Sequence, residues 1–179
     1  MASAPLDSID DENRRLARLV LNRARELGVT LGSAESCTGG MIAAAITAIP
    51  GSSDSFVGGV VSYWVDVKER VLGVEGRIID EHGVVSHETA RAMAEGARMT
   101  LACDYAVATT GIAGPTGAEP ELSAAPPGAD PGKPVGTVCF GVAGPLGTRS
   151  FTTCIGKTRE EIRASAVTTA LGALLEALS

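Results

Sequence analysis

Aromatic side chains are nearly missing from this chain of 179 residues: one Trp, two Tyr and three Phe, 3% of the total. A core without large rings has to be filled with Ala, Val, Leu and Ile. The 22 Gly residues leave room for tight turns and close backbone approaches. Histidine is equally scarce, at two residues, His82 and His87, both in a polar stretch. The four cysteines, Cys37, Cys103, Cys139 and Cys154, form no C-x-x-C pair, so neither a zinc knuckle nor a dithiol redox motif is present. They read as free buried thiols of a reducing cytosol. Positive charge is also short. Fifteen Lys and Arg face 21 Asp and Glu, a formal net charge of −6, which excludes a general nucleic-acid binder. A small anion remains possible, because a few local cations and N–H groups can hold a phosphate. The longest apolar run falls within residues 41–49, too short to cross a membrane. Residues 1–10 carry acids and no apolar stretch, unlike a signal peptide. The expectation is a soluble, cytoplasmic protein with no nucleic-acid or membrane partner, no metal and no cofactor.

The length suits a single domain over residues 1–179, with a flexible N-terminus at 1–9. Residues 8–27 read as an amphipathic helix, with Leu16, Leu19, Val20, Arg23 and Leu27 at helical spacing and Gly28 as its stop. A short buried strand follows at 29–34. The turn Glu35-Ser36-Cys37-Thr38-Gly39-Gly40 leads into an Ala-rich helix ending near Pro50. Residues 56–63 read as a strand, 66–72 as a short helix, and 77–86 as mixed. Residues 87–101 have helical composition, although Ser86 and Thr89 make a poor capping box. A third strand at 104–108 runs into Thr109-Thr110-Gly111-Ile112-Ala113-Gly114-Pro115. The stretch 116–134 is rich in Pro, Gly, Ala and Glu and reads as a loop, mobile over 116–132. Strands at 135–142 and 149–155 flank the hairpin signal Gly144-Pro145-Leu146-Gly147. A long helix closes the chain at 158–178, with Ile162, Ala166, Ala170, Leu174 and Leu178 on one stripe. Helices alternating with strands, then a hairpin, predict a three-layer α/β/α sandwich with a mixed sheet.

In such sheets ligands bind beyond the carboxyl ends of strands, which is where Ser36 falls. A serine in a small-residue turn can act as a nucleophile, with the N–H groups of Thr38, Gly39 and Gly40 facing a developing oxyanion. It can equally be an ordinary helix cap. Cys37 next to it lacks a histidine partner. A serine nucleophile needs a base, and with histidine scarce the candidates are Lys68 and Lys133. A desolvated lysine can serve, while a solvated helix lysine cannot. Residues 110–115 form a second glycine-rich turn after a strand, the kind that receives phosphates. Arg159 and Arg163, four apart on the last helix, either clamp a phosphate or belong to a charged face with Glu160 and Glu161.

Taken together, Ala34-Glu35-Ser36-Cys37-Thr38-Gly39-Gly40 resembles the A-E-S-C-T-G-G hallmark of the CinA C-terminal-domain family. Gly59-Val60-Val61-Ser62-Tyr63 through Lys68 and Leu72-Gly73-Val74 resembles a second family stretch. Gly83 to Ser86, Gly111 to Pro115, Lys133 to Val138, and Arg159 with Arg163 follow in family order. The likeness runs over about residues 10–178. It implies a stand-alone bacterial amidohydrolase that converts nicotinamide mononucleotide to nicotinate mononucleotide and ammonia without metal or cofactor. Ser36 would be the nucleophile and Lys68 the base, with Tyr63 and Thr110 lining the site. Glu35, Cys37, Thr38, Gly39, Gly40, Gly111, Ala113, Gly114, Arg159 and Arg163 would hold the nucleotide. The likeness also implies a homo-oligomer. Family members commonly carry Tyr-Ser-Asn where this chain has Tyr63-Trp64-Val65, and Gly-Gly where it has Thr116-Gly117-Ala118. The loop to Lys133 is longer than usual. Fused members carry a molybdopterin-binding-like domain; its activity is expected to be absent here. The competing expectation is a non-catalytic nucleotide-binding domain of the same fold, motivated by the missing Ser-Asn pair.

Overall fold

The computed structural model describes residues 6–114 and 132–179. The elements in chain order are α1 (Leu6–Leu27), β1 (Leu31–Glu35), α2 (Met41–Thr47), β2 (Phe56–Val61), α3 (Val65–Leu72), α4 (Gly76–His82), α5 (His87–Leu101), β3 (Tyr105–Gly111), β4 (Thr137–Gly144), β5 (Gly147–Cys154) and α6 (Arg159–Ala177). Helix α1 therefore begins inside the stretch expected to be flexible, residues 1–9. Residues 1–5, and 116–131 of the expected mobile loop, lie outside the described residues.

One five-stranded sheet runs through the molecule in the order β2-β1-β3-β4-β5. Strands β1, β2 and β3 are parallel, and β4 and β5 add antiparallel to them. Helices cover both faces, giving the expected three layers. Against one face, α1, α2 and α6 bury Leu16, Val20, Leu21, Ile42, Ile46 and Leu171 on Leu31, Val107, Val138 and Phe140. On the other, α3, α4 and α5 bury Leu72, Ile79, Met93 and Ala97 on Ala34, Ala106 and Ala108. Small residues on this second face let α5 lie close to the sheet. A side chain at Gly141 would put its Cβ 2.2 Å from the Ala90 carbonyl oxygen. In an aromatic-poor core, such contact between backbones replaces ring packing.

Several element boundaries differ from the sequence reading. The mixed stretch 77–86 contains α4, a seven-residue helix that buries only Ile79 and has no side-chain N-cap. The face of α1 is rotated: Ala17, Leu21 and Ala24 are fully buried, while Leu19 and Leu27 are 39% and 43% exposed. Alanine counts as core here because α6 packs close. Ser86 caps α5 although no Glu or Gln stands three residues on, its hydroxyl accepting from the Thr89 N–H at 3.1 Å. The closing helix has the full capping box at Thr158 and Glu161, and its expected stripe is buried throughout.

The chain leaves β1 by α2 on one face to reach β2, and leaves β2 by α3, α4 and α5 on the other to reach β3. Strand order thus reverses around β1. The turns after β1 and β3 flank this reversal, the position where doubly wound sheets bind ligands.

Candidate active site

The turn after β1 is built around a buried carboxylate. Glu35 is 1% exposed. Its two oxygens accept the N–H groups of Gly40, Ile42 and Ala43 at 2.9, 3.0 and 2.9 Å, and Oε1 also accepts the Ser33 hydroxyl at 3.3 Å. These N–H groups at the start of α2 have no intrahelical partner, and a carboxylate complements the positive end of the helix dipole. The expectation that Gly40 would present its N–H to a substrate is corrected: the Glu35 side chain occupies it. Gly39 donates its N–H to the Ser36 carbonyl. Both glycines adopt left-handed φ, 61° at Gly39 and 95° at Gly40, which a side chain would strain. The tight turn therefore depends on them.

Other expected ligand-holding groups also turn out to hold the turn. Thr38 is fully buried, and its hydroxyl pairs with that of Thr109 at 2.8 Å. Arg163 donates to the carbonyl oxygens of Cys37 at 3.1 Å and Thr38 at 3.0 Å, so α6 clamps the turn from outside. The Cys37 thiol is buried within the turn. Burial pushes that thiol up to about 11, the dominant influence on it, so it is a neutral thiol at physiological pH. Neither histidine can activate it. His87 contacts Ser150 and Thr152 on β5, and His82 lies near Glu81 and Glu88.

Ser36 faces the other way. Alternation along β1 puts it on the α3–α5 side with Ala34. There the Lys68 ammonium donates to Ser36 Oγ at 3.0 Å. Lys68 sits in α3, is 0% exposed, and also donates to the backbone oxygens of Ser62 at 2.6 Å and Tyr63 at 3.5 Å. No carboxylate is among these partners. Desolvation pulls the ammonium down to about 8. The second candidate base, Lys133, donates to the Val85 carbonyl.

The turn after β3 is drawn into the sheet. Gly111 is still a strand residue, paired with Val138, and a Cβ there would lie 2.8 Å from the Thr137 carbonyl oxygen. Ala113 is buried in the α1–α6 core. Thr110 is fully buried on the Ser36 side, its hydroxyl donating to the Val84 carbonyl at 2.8 Å. At the rim, Arg159 reaches the Gly114 carbonyl at 2.8 Å and the Tyr63 hydroxyl at 3.2 Å. Among the described residues no His, Cys, Asp and Glu gather in a group of three that could hold a metal. Nor is any helix among them long and apolar enough to cross a membrane.

Residues 13–178 match the model of the CinA C-terminal domain family. This chain belongs to that family. A CinA-like protein from Anaeromyxobacter sp. (strain K) is 44% identical over 163 residues, covering 91% of this chain and 37% of the relative. One from Synechococcus sp. (strain CC9902) is 47% identical over 135 residues, covering 75% of this chain and 29% of the relative. The chain thus spans about a third of the length of these curated relatives. Among solved structures, the competence or damage-inducible protein from Enterobacter asburiae superposes with TM-score 0.84 at 30% identity, covering 93% of this chain and 98% of that one. The competence/damage inducible protein CihA from Agrobacterium tumefaciens gives 0.82 at 39% identity, covering 93% and 95%.

The departure from the common family pattern at Trp64 and Val65 has a simple place in this CinA fold. Trp64 is the N-cap of α3, 70% exposed, with no side-chain cap hydrogen bond. Val65 packs against the α3–α5 core. Neither side chain is a hydrogen-bond partner of the Lys68 ammonium, whose partners are Ser36 and the carbonyls of Ser62 and Tyr63. Two residues of the site fall within the sequence motifs but were given no role of their own. Ser62 supplies one of those carbonyls, and Thr109 locks Thr38. Both lie one residue from a residue singled out, so a strand register would have found them.

Proposed function

We propose that this domain is a serine amidohydrolase that removes the carboxamide nitrogen of nicotinamide mononucleotide, with Ser36 as nucleophile and Lys68 as base. One observation carries the reading: an enclosed lysine, lowered to about 8 and free of any carboxylate, touches Ser36 Oγ at 3.0 Å. A neutral lysine has two N–H groups and one lone pair. The Ser62 and Tyr63 carbonyls take the two N–H groups, which leaves the lone pair for the Ser36 hydroxyl proton. At pH 7 about a tenth of the molecules carry this neutral amine.

Lys68 then takes the Ser36 proton as Oγ bonds to the carboxamide carbon. The carbonyl oxygen becomes an oxyanion, received by the N–H groups of Cys37 and Thr38, which no carbonyl or carboxylate occupies among the described residues. Lys68 returns the proton to the nitrogen, the C–N bond breaks, and ammonia leaves an acyl-Ser36 ester. Water attacks that ester with Lys68 again as base, restoring Ser36 and releasing the carboxylate. In this reading Arg159, exposed beside Tyr63, meets the nucleotide phosphate, while Arg163 serves the turn. The Lys68 ammonium keeps Ser36 and two carbonyls as partners with Trp64 and Val65 in place, which supports this reading over a non-catalytic domain.

The test is ammonia release from a panel of nicotinamide nucleotides and nucleosides. Turnover of nicotinamide mononucleotide that Ser36→Ala abolishes supports the reading. Absence of ammonia from every member of the panel overturns it in favour of a binding domain.

A further inference from the structure

Ser62 is fully buried, and its hydroxyl is the one buried side-chain oxygen or nitrogen among the described residues with no hydrogen-bond partner. Leaving a buried hydroxyl unpaired costs about 1–3 kcal/mol, so its place in the fold calls for a reason. The register supplies one. Glu35 pairs with Val61 on β2 and with Thr109 on β3, and the Ser62 N–H donates to the Glu35 carbonyl at 2.8 Å. One residue further, Ser36 lies between Ser62 on one side and Thr110 on the other. Neighbouring strands stand about 4.8 Å apart. A carboxamide carbon in contact with Ser36 Oγ therefore extends its oxygen and nitrogen toward the flanking strands. The Thr110 hydroxyl already gives its proton to Val84. The Ser62 hydroxyl is uncommitted. Its residue also carries the carbonyl that accepts from the Lys68 ammonium at 2.6 Å, the amine that must protonate the leaving nitrogen. Ser36 is itself only 7% exposed.

We infer that Ser62 Oγ accepts an N–H of the scissile carboxamide, orienting the leaving nitrogen toward Lys68 and favouring amides over esters. This rests on the Ser36–Lys68 reading above. An ester has no N–H to give, so the two substrate classes separate this role from a structural one. The experiment compares wild type, Ser62→Ala and the size-matched Ser62→Cys on nicotinamide mononucleotide and on the methyl ester of the same acid, with melting temperatures measured for each. The Ser62→Ala variant keeps the backbone carbonyl that holds Lys68. It should lose about tenfold in kcat on the amide, the worth of one hydrogen bond, with ester turnover within about twofold of wild type. Ser62→Cys should fall between. Equal losses on amide and ester, or no loss on either, overturn the assignment while the Ser36–Lys68 pair stands. A wild type inert toward both substrates removes the pair and this role together. Should Ser62→Ala fail to fold, an unchanged amide-to-ester ratio in Ser62→Cys overturns the assignment.

Discussion

Two ionisable side chains are enclosed beside Ser36, and the fold treats them in opposite ways. Glu35 accepts four hydrogen bonds, three of them from the first N–H groups around α2. Every acceptor site that matters is filled by the scaffold, so the carboxylate is fixed in one place. Lys68 has only neutral oxygens around it, one of them the hydroxyl it would have to deprotonate. Burial without a counter-charge leaves it close to losing its proton. The same enclosure yields a structural anchor where the partners are donors in excess, and an easily deprotonated amine where they are neutral acceptors. The charge pattern of the sequence shows neither outcome, since both residues would ordinarily be read as surface groups.

Removing the reactive member gives the largest effect. Ser36→Ala and Lys68→Ala should each lower kcat by roughly a thousandfold or more, and the double variant should be little worse than either, because the two act as one unit. Ammonia release measures this. Cys37→Ala should retain most activity, its thiol being raised to about 11 and buried. A dead Cys37→Ala beside an active Ser36→Ala would reverse the assignment.

Removing the anchor should act on stability first. In Glu35→Gln one carboxylate oxygen becomes an NH2 group that faces N–H donors of α2. Two buried donors lose their acceptor, at a cost on the order of 3 kcal/mol. Denaturant titration would show it, while Lys68→Met should stay folded. A Glu35→Gln protein as stable as wild type would mean that the carboxylate is not the anchor.

The pH dependence separates the two groups further. A base lowered to about 8 is idle when protonated, so kcat/KM should climb with pH through 7 and level off above about 8 to 9. Lys68 also leaves a mark on stability. An unfolded lysine holds its proton to about 10.4, so between about 8 and 10 the unfolded chain binds a proton that the folded one does not. That contribution to stability rises with pH over this window and is absent below it. Lys68→Met should lack the rise, read as the difference between the two proteins' unfolding free energies across the window.

Much of this site was legible in the sequence, because Ser36 and the glycines fall where strand, turn and helix signals meet. The layered fold was legible for the same reason: periods change cleanly at Gly28, Pro50 and Gly144. What escaped depends on contacts distant in the chain. Glu35 was expected to hold ligand from the family likeness, and Arg163 either to clamp a phosphate or to belong to a charged face; nothing local says that backbone groups will claim them. Arg163 finds the Cys37 carbonyl 126 positions away. The choice between Lys68 and Lys133 needed the crossover geometry of α3. Helix α4 escaped because seven residues with one buried side chain carry almost no period.

The smallest effect concerns the entry to α3, the helix that carries the reactive member of the pair. Trp64 occupies an N-cap position with extended backbone, φ −91° and ψ 153°, the geometry that Ser, Thr or Asp would use to accept an N–H of the first turn. Its side chain is 70% exposed, so little packing is lost when it is replaced. Trp64→Ser should therefore stabilise the protein by about 0.5–1 kcal/mol through a regained cap. Lys68 keeps its two carbonyls and Ser36 in that variant, so its pH profile should not move, and kcat should stay within about twofold. A raised melting temperature with unchanged turnover would assign the position to the helix alone. A shifted profile would mean instead that the residue at 64 reaches Lys68 through the turn, and that scaffold and reactive amine are less separable than Glu35 and Lys68 make them look.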